Sequence, residues 1–484
     1  MPAVPPRAAP AAVSREAIDR LLDTVPDLRE LAARLASAGH EVALVGGSVR
    51  DAAQGREAAD FDLTTSARPV QVKEALAGWT DAFWEIGIDF GTVGARRGGR
   101  HFEITTYRSD SYDRATRRPE VTFGESLLED LRRRDFTINA MAVTLPERTF
   151  VDPFDGFADL TEGMLRTPAA PEESFADDPL RMMRAARFVA QLGLSVAPEV
   201  RLAMTGMSDR ITMVSAERVR DELSKLLLTQ VPRGGLELLV DTGVAAHALP
   251  ELPALRLEVD EHHRHKDVYE HSLIVLDQAI DLEASHAPQI EPDLVLRLAA
   301  LLHDIGKPRT RRFEQGGRVS FHHHEVVGAK LARRRLTDLR YPKVVVEEVS
   351  RLIELHLRFH GYGTGEWTDS AVRRYVRDAG DLVTQLHKLT RADCTTRNPR
   401  KAAALRRTYD DLEQRIAVLA EAEELASIRP DLDGDEIMAV LGIGPGRDVG
   451  VAYRWLLERR LDDGPLGRER AELELRQWWR ARSG

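Results

Sequence analysis

The sequence predicts an α+β amino-terminal domain followed by an all-helical remainder. In the first third of the chain, short apolar or alternating runs are typical of β-strands. These runs are EVALVGG (41–47), DFDLTT (60–65), TVGARR (92–97), HFEITTYR (101–108) and NAMAVTL (139–145). From about residue 175 onward such runs nearly vanish, and apolar residues recur every three or four positions, as in helices. Histidines become frequent after about residue 260, which indicates a separate functional unit.

Three helices have recognisable ends. SARPVQVKEALAGW has helical apolar spacing after a serine start, and SAERVRDELSKLLL (215–228) also opens with serine. The segment DDPLRMMRAARFVAQLGL is predicted to stop at Gly193, because glycine readily adopts the left-handed conformation that ends a helix.

Length and composition predict several domains. The chain has 484 residues, enough for roughly two to four domains. Its opening MPAVPPRAAPAAV is rich in Pro and Ala and is expected to be disordered. The segments we expect are a disordered tail (1–20), an α+β head (21–165), a helical neck (166–250), a histidine-rich domain (257–395) and a helical carboxyl-terminal region (396–484).

Charge and cysteine content exclude some classes of protein. No run approaches the roughly 18 apolar residues of a membrane span. The lone Cys394 excludes an internal disulfide framework and favours a reducing, cytoplasmic location. A net charge of -10 argues against a protein that coats nucleic acid indiscriminately, although arginine clusters in the first 190 residues leave room for a local basic groove.

Two aspartates one residue apart suggest a metal site. In a strand, Asp60 and Asp62 project to one face, while Phe61 and Leu63 point into a core. Neighbouring carboxylates repel each other, and Mg²⁺ removes that repulsion while bridging to substrate phosphates. Glu103, on an alternating strand, is a candidate third carboxylate. The alternative is an exposed edge strand with solvated aspartates.

A glycine pair precedes these aspartates. Gly46 and Gly47 follow a strand, where missing side chains let backbone N–H groups approach phosphate oxygens. Arg50 is placed to clamp a phosphate from the next turn. The pattern is neither the dinucleotide-binding G-x-G-x-x-G nor the P-loop, whose Lys-Ser/Thr ending is absent.

One helical face carries an aspartate and three arginines. Asp178, Arg181, Arg184 and Arg187 follow each other at intervals of three, so they share a face. An aspartate accepts from an exocyclic amine and an arginine donates to ring acceptors, so together they can read a base edge. The alternative is a surface helix with salt bridges between residues three apart.

Five linked motifs over about residues 40 to 230 resemble those of the class II tRNA nucleotidyltransferases. These enzymes comprise CCA-adding enzymes and bacterial poly(A) polymerases of the polymerase-β-like superfamily. The motifs are GGSVRD…DFDL, RRRDFTINAM (132–141), DPFDGFADL (152–160), DDPLRMMRAARF (177–188) and AERVRDELSKLL (216–227).

The resemblance implies a role for each matching residue. Gly46, Gly47 and Arg50 would hold the triphosphate, and Asp60 and Asp62 would hold the catalytic metals. The resemblance also implies that Arg134 contacts the nucleotide and that Asp178 and Arg181 select CTP and ATP. A brace for the base-reading helix would come from Glu217, Arg218 and Glu222. Asp135 would only order its turn, and residues 109–126 match a flexible loop that helps to switch from C to A addition.

The expected function is addition of CCA to tRNA from CTP and ATP, with no stable protein partner implied. The first alternative, a poly(A) polymerase, is disfavoured because its Gly-Arg-Arg/Lys-Phe element is missing; ARRGGRHFEI is the nearest string. The second alternative is a phosphohydrolase with a non-catalytic RNA-binding head. Whether one chain adds both CC and A is left open, as is any chemistry for the terminal LELRQWWRAR.

The histidine-rich region resembles the HD-domain phosphohydrolases. Its segments include LAALLHDIGKPR (298–309), and imidazole with carboxylate suits Mn²⁺, Ni²⁺ or Fe²⁺. The resemblance implies one metal on His271, His303, Asp304 and Asp393, a second completed by His324 and His356, and Lys307 near a bound phosphate. Hydrolysis of phosphomonoesters or 2′,3′-cyclic phosphates and a purely structural role are both open.

Overall fold

A computed structural model shows two compact units, Met1–Ala248 and Leu249–Gly484. The structure describes residues 19–56, 61–84, 91–111, 120–124, 126–257, 267–288, 291–315, 319–361, 367–395, 398–423 and 429–483. The first unit contains a mixed sheet with helices, and the second is almost entirely helical among its described residues. This agrees with the predicted change from α+β to α, while the finer domain boundaries stay predictions.

A seven-stranded sheet forms the centre of the first unit. Its strand order is β3-β4-β5-β2-β1-β8-β9, and β2 pairs with β5 in parallel while the other neighbours are antiparallel. The strands are β1 (Val42–Val45), β2 (Phe61–Thr65), β3 (Ala82–Trp84), β4 (Thr92–Arg97), β5 (Arg100–Thr106), β8 (Ala142–Leu145) and β9 (Thr149–Val151). Two further pairs are β6 (Arg108–Ser111) with β7 (Glu120–Phe123), and β10 (Met164–Leu165) with β11 (Ser195–Val196).

Alternation along these strands places the core and the polar face. Phe61, Leu63, Phe102 and Ile104 are buried at 2% exposure or less, so the opposite face of β2 and β5 carries Asp62 and Glu103. The strand predicted at 139–145 starts only at Ala142, because Thr137–Asn139 forms a 3-10 turn before it.

The helices of the first unit surround the sheet and continue into the neck region. They are α1 (Pro26–Ser37), α2 (Gly47–Ala53), α3 (Pro69–Ala75), α4 (Leu127–Arg132), α5 (Gly156–Glu162), α6 (Pro171–Asp177), α7 (Arg181–Leu192), α8 (Pro198–Gly206), α9 (Ala216–Leu227), α10 (Arg233–Asp241) and α11 (Val244–Ala248). A further 3-10 helix spans Ser208–Met213. Gly193 ends α7 with a φ of 69°, and the Ser215 hydroxyl caps α9 by accepting from the backbone N–H of Arg218.

The second unit packs its helices around an apolar core. Its helices are α12 (Val268–Ser285), α13 (Leu294–Leu302), α14 (Lys307–Thr310), α15 (His324–Asp338), α16 (Lys343–Leu355), α17 (Asp369–Ala379), α18 (Val383–Asp393), α19 (Pro399–Glu423), α20 (Gly434–Leu441), α21 (Arg447–Asp463) and α22 (Arg468–Ser483). Strands β12 (Arg312–Phe313) and β13 (Val319–Ser320) form a short hairpin, and 3-10 helices span Pro253–Leu257, Arg358–Gly361 and Gly380–Leu382.

The predicted carboxyl-terminal helices have a small core of their own. Six residues buried at 1% exposure or less form it: Leu432, Ile437, Ala452, Leu456, Ala471 and Leu475. Trp455 and Trp478 stack against this cluster with ring centroids 4.9 Å apart. Apolar packing therefore accounts for Trp478, the first tryptophan of the LELRQWWRAR segment, whose chemistry the sequence left open.

Candidate functional site

Two of the three predicted carboxylates are neighbours in the head sheet. Asp62 on β2 is the direct partner of Glu103 on the parallel strand β5, so both side chains leave the same face. Asp60 precedes β2 immediately in sequence and lies outside the described residues. The geometry brings Asp62 and Glu103 together as oxygen donors of the kind that Mg²⁺ prefers.

The glycine loop lies directly against these acidic strands. Gly46 has φ 73° and ψ -136°, a conformation that side chains disfavour, and Gly47 begins α2. A Cβ on Gly46 would lie 3.3 Å from Arg134 Nη1 and 3.4 Å from Asp62 Oδ2. The missing side chain therefore lets the loop, a carboxylate and an arginine converge.

Arg50 lies beneath this loop. Its side chain is only 7% exposed, and Nη2 is 3.5 Å from where a Gly47 Cβ would be. Nη1 donates to Asn139 Oδ1 at 2.7 Å, and Nε donates to Asp51 Oδ1 at 2.9 Å. The predicted phosphate clamp is thus anchored to protein acceptors, and its contact with a phosphate stays a prediction.

A buried aspartate holds the two arginines that follow α4. Asp130 is fully buried and accepts from Arg133 Nη2 at 2.6 Å and from Arg134 Nη2 at 3.2 Å. Burial alone would raise the pKa of Asp130, but the two guanidinium groups outweigh it and lower that pKa. Asp130 therefore stays ionised and holds both arginines, of which Arg134 lies beside the glycine loop.

An arginine-rich cavity of about 310 Å³ adjoins the carboxylates. It includes Thr105, which shares a strand face with Glu103, and Arg134, which approaches Asp62 as described above. Its lining residues are Thr105, Arg108, Arg133, Arg134, Asp135, Asp178, Leu180, Arg181, Arg184 and Arg218. Six guanidinium groups and two carboxylates suit a polyanion with a hydrogen-bonding base.

The predicted base-reading residues lie at one end of α7. Asp178 accepts from Arg218 Nη2 at 2.7 Å and from the Leu180 N–H at 3.1 Å. Arg181 donates to Ser174 Oγ at 2.8 Å and to the Arg133 carbonyl at 2.6 Å. Both side chains line the cavity, so the structure brings this pair together with the arginines after α4.

The other two arginines of that face are tied to carboxylates. Arg184 Nε donates to Asp135 Oδ2 at 2.8 Å, and Arg187 Nε donates to Glu222 Oε2 at 2.7 Å. Arg184 lines the cavity, but Arg187 is not among its described lining residues. Buried Glu222 thus contacts α7 as a brace would, while Glu217 is exposed in the first turn of α9.

Sequence reasoning missed three contributors to this cavity. Arg108 and Thr105 line it, and Asp130 orders its arginines. Alternation along HFEITTYR could have found Thr105, because it lies two residues after Glu103 on the same face. Asp130 carried no signal, because only the fold shows that this acidic residue is fully buried.

The second unit brings the predicted HD residues into two adjoining groups. His271, His303 and Asp393 form one group, and Asp304, His324 and His356 form the other. Within each group the ligand atoms lie within 4.8 Å of one another. Each group therefore offers three donors, and Asp304, which the resemblance assigned to the first metal, falls in the second group.

Asp304 faces both groups with different oxygens. Its Oδ2 lies 3.2 Å from His303 Nε2 and 3.5 Å from His271 Nε2, whereas Oδ1 lies 3.3 Å from His324 Nε2. A carboxylate with this arrangement can bridge two cations.

The donors fit a transition metal by their chemistry and by their buried polar atoms. His356 Nε2 is buried without a hydrogen-bond partner, which is costly unless something else binds it. Burial lowers the pKa of His356 to about 3, so its imidazole is neutral and available as a ligand. His303 and His324 hold their rings through backbone carbonyls of Ala300 and Phe321, both at 2.9 Å.

A close contact between two helix starts aligns the two groups. A Cβ on Gly306 would lie 2.1 Å from the His324 carbonyl, so α14 can approach the first turn of α15 only with glycine there. Lys307, which follows it, places Nζ 2.9 Å from Asp304 Oδ2. The sequence HDIGK thus supplies two candidate ligands, a glycine that lets two helices approach closely, and a lysine cation within one turn.

Known protein families match both units of the chain. A model described as the poly A polymerase head domain matches residues 42–166, and one described as a probable RNA- and SrmB-binding site of polymerase A matches 193–255. An HD domain model matches residues 268–422. The HD match contains the whole histidine cluster, whereas the cavity residues Asp178, Leu180, Arg181 and Arg184 lie between the first two matches.

One curated relative matches almost end to end. The chain is 35% identical over 429 residues to the A-adding tRNA nucleotidyltransferase of Deinococcus radiodurans, covering 86% of this chain and 91% of that protein. The chain belongs to the class II tRNA nucleotidyltransferase family. It is therefore a nucleotidyltransferase with an HD domain, as the motifs predicted.

Other tRNA nucleotidyltransferases match this member of the family over shorter stretches or by fold. The CCA-adding enzyme of Levilactobacillus brevis is 45% identical over 208 residues, which cover 43% of this chain and 51% of that enzyme. The solved structure of the Bacillus stearothermophilus CCA-adding enzyme in complex with CTP has a TM-score of 0.67 and 25% identity, and the alignment covers 95% of this chain and 98% of that one. No helix among the described residues is both long and apolar enough to span a membrane.

Proposed function

We propose that this nucleotidyltransferase adds CCA to the 3′ end of tRNA without a template, using CTP and ATP. The observation that carries the proposal is the cavity in which six arginines adjoin the Asp62–Glu103 edge and the Asp178–Arg181 pair. It combines charge for a triphosphate with an acceptor and a donor for a base edge. CCA-adding relatives, including one solved with CTP, support this assignment.

Each group of residues has a distinct task in the proposed reaction. The tRNA 3′-hydroxyl attacks the α-phosphorus of the nucleotide, and pyrophosphate leaves. Asp60 and Asp62, with Glu103 beside Asp62, would hold Mg²⁺, which would supply activation of the hydroxyl and stabilisation of the developing negative charge. Gly46, Gly47, Arg50 and Arg134 would hold the triphosphate, and Asp178 with Arg181 would read the base.

Stepwise extension of truncated tRNAs tests this proposal. Transcripts ending before CCA, after C and after CC are each incubated with Mg²⁺ and one nucleotide at a time, and products are resolved at single-nucleotide resolution. We expect CTP to extend the first two by one or two residues and ATP to extend only the third. Failure of CTP to extend any transcript would overturn CCA addition.

A second candidate, addition of the terminal A alone, is favoured by one observation. The relative that matches over 91% of its own length is named an A-adding enzyme. In the same assay such an enzyme would extend only the transcript ending in CC, and only with ATP. Polyadenylation is not favoured, because the relatives and solved structures with near-complete coverage are tRNA nucleotidyltransferases.

We also propose that the HD domain is a metal-dependent phosphohydrolase. Its support is the pair of three-donor groups bridged by Asp304, with Lys307 beside it as a partner for a phosphate oxygen. Mn²⁺, Ni²⁺ or Fe²⁺ suits this donor set. Phosphomonoesters and 2′,3′-cyclic phosphates are the proposed substrates, and with one cysteine we propose a cytoplasmic location.

Metal analysis and phosphate release test the HD proposal independently of nucleotide addition. The protein is stripped with a chelator, loaded with each metal in turn, and assayed for metal content and for hydrolysis of 2′,3′-cyclic AMP. We expect about two ions per chain and hydrolysis with at least one metal. Binding without hydrolysis of cyclic or monoester substrates would leave the HD domain a structural metal site.

A further inference from the structure

A chain of buried hydrogen bonds joins the glycine loop to α7. Arg50 Nη1 donates to Asn139 Oδ1 at 2.7 Å, and Asn139 Nδ2 donates to Asp135 Oδ1 at 3.0 Å. The other oxygen of Asp135, Oδ2, accepts from Arg184 Nε at 2.8 Å. Arg50, Asn139 and Asp135 are each 6–7% exposed, so the first two bonds lie away from solvent, whereas the bond from Arg184 is partly buried.

The two arginines at the ends of this series of hydrogen bonds also contact the same aromatic ring. The guanidinium carbons of Arg50 and Arg184 lie 5.5 Å and 5.6 Å from the centroid of Phe188 on α7, and Arg187 lies 4.3 Å from it. Phe188 is 3% exposed and packs edge-on against Phe136 at 5.7 Å. Three cations on one buried ring form a second link between the loop and α7.

The turn between α4 and β8 contacts α7 at two successive positions of the same face. Arg181 donates to the Arg133 carbonyl, and Arg184, three residues later, donates to Asp135. Burial alone would raise the pKa of Asp135, but Arg184 and the bond from Asn139 lower it to about 2. Asp135 is therefore a fixed charge whose two oxygens serve opposite ends of the site.

We propose that Asp135 and Asn139 are positioning residues that set the distance between the glycine loop and the base-reading end of α7. A nucleotide is held at both ends, by its triphosphate near Gly46 and Arg134 and by its base near Asp178 and Arg181. If the two ends drift apart, a bound triphosphate no longer presents the base to Asp178 at hydrogen-bond distance. This inference rests on the proposed function, and it gives Asp135 more than the turn-ordering role expected from the sequence.

Discrimination between CTP and UTP is the sensitive readout of this role. Cytosine presents an exocyclic amine to a carboxylate such as Asp178, whereas uracil presents a carbonyl at that place. Asn139 is not among the described residues that line the cavity, and Asp135, which does line it, uses its two oxygens in bonds to Asn139 and Arg184. A loss of discrimination in their variants would therefore come through the geometry of α7 and not from a lost base contact.

The test compares two variants of the chain with a matched control from the same turn. Asn139→Ala breaks the link to Arg50, and Asp135→Asn places an amide donor against Arg184. The control Thr137→Val removes a buried hydroxyl that donates to Asp159 at 2.6 Å, so it costs a buried hydrogen bond that is not part of the series from Arg50 to Arg184. All are assayed for melting temperature, KM and kcat with CTP, and the ratio of CTP to UTP incorporation on tRNA lacking CCA.

We expect the two linking variants to raise the KM for CTP and to lower the CTP/UTP ratio by about tenfold or more, the effect of losing a hydrogen bond to a charged group. Thr137→Val should lower the melting temperature without changing that ratio. The double variant should lose little more discrimination than the worse single variant, because the residues act as one unit, whereas independent sites would add. If Asp135→Asn does not fold, two variants still test the proposal. Phe188→Leu removes the ring that Arg50 and Arg184 share, and Asn139→Ala still interrupts the series of hydrogen bonds.

Two negative outcomes are distinguishable. If the wild-type chain adds no CTP, the proposed CCA addition fails, and the A-adding activity is examined with ATP against GTP instead. If the wild-type chain adds and discriminates normally while both linking variants match Thr137→Val in KM and in the CTP/UTP ratio, the positioning role is overturned.

Discussion

Replacing Gly46 with alanine tests the convergence of loop, carboxylate and arginine most directly. Gly46 has φ 73° and ψ -136°, close to a region that almost only glycine populates. An added Cβ would meet Arg134 Nη1 at 3.3 Å and Asp62 Oδ2 at 3.4 Å. The substitution therefore strains the backbone and presses on two proposed substrate-binding groups at once.

The size of the effect follows from the strain. Holding alanine in such a conformation costs about 1–3 kcal/mol. The unliganded loop can relieve this strain by moving away from Arg134 and Asp62, but it must return to hold a triphosphate. The same free energy then appears as weaker nucleotide binding, about 5-fold to 150-fold in KM or in the dissociation constant.

Gly55→Ala is the matched control. Gly55 lies just beyond the other end of α2 with φ 72°, and no heavy atom outside its neighbours lies within 4 Å of its Cβ position. It therefore suffers a left-handed penalty of about 1–2 kcal/mol without a contact in the site. Both variants should lower the melting temperature of the protein, but only Gly46→Ala should weaken CTP and ATP binding.

The assay measures KM in single-nucleotide addition to tRNA and nucleotide affinity by calorimetry. Equal KM values for Gly46→Ala, Gly55→Ala and wild type, with the expected loss of thermal stability in both variants, would refute the proposed placement of the triphosphate at this loop. A loss of affinity in both variants would show instead that general destabilisation of α2 is enough.

Three further predictions follow from the two sites. Asp60→Ala or Asp62→Asn should reduce nucleotide addition to background while metal-dependent phosphate release survives, and near wild-type addition would contradict the Mg²⁺ assignment. Asp130→Asn should cost about 1.5–3 kcal/mol of stability near pH 7, because two partly buried guanidinium groups lose the carboxylate to which they are hydrogen-bonded. The folded-state pKa of Asp130 is lowered, so the difference in unfolding free energy between wild type and Asp130→Asn should be complete above the unfolded pKa of about 4. It should shrink as pH falls through the folded-state pKa, which thermal denaturation at pH 7 and pH 3 would show. His356→Ala should lower the bound metal from about two ions to about one, measured by elemental analysis, and an unchanged content would contradict a two-metal centre.

Local patterns in the sequence predicted much of the fold because they act over short distances. The stop at Gly193 and the cap at Ser215 depend only on residues within one turn, and both occur as predicted. Alternation placed Asp62 and Glu103 on polar faces, but only the parallel pairing of β2 with β5 makes them neighbours. Spacing along a strand identifies a face, whereas pairing between strands is a property of the whole sheet.

The role of each arginine was harder to predict than its presence. Spacing put Arg181, Arg184 and Arg187 on one face, which suggested one shared task. The fold divides them, because Ser174, Asp135 and Glu222 each reach a different guanidinium group. These partners lie between 7 and 49 residues away in sequence, beyond any local periodicity.

The acidic residues around the cavity explain how a chain of net charge -10 maintains six arginines in one small space. Without anions nearby, six guanidinium groups would repel one another and spread apart. Asp130, Asp135 and Asp178 each bond at least one of them from the protein side, which lowers that repulsion and fixes the direction of each side chain. These three carboxylates are fewer than the six guanidinium groups, so we propose that the remaining positive charge attracts the triphosphate. The same reasoning gives each of these aspartates a purpose before any nucleotide is bound, and it requires nucleotide affinity to fall when salt screens the remaining charge.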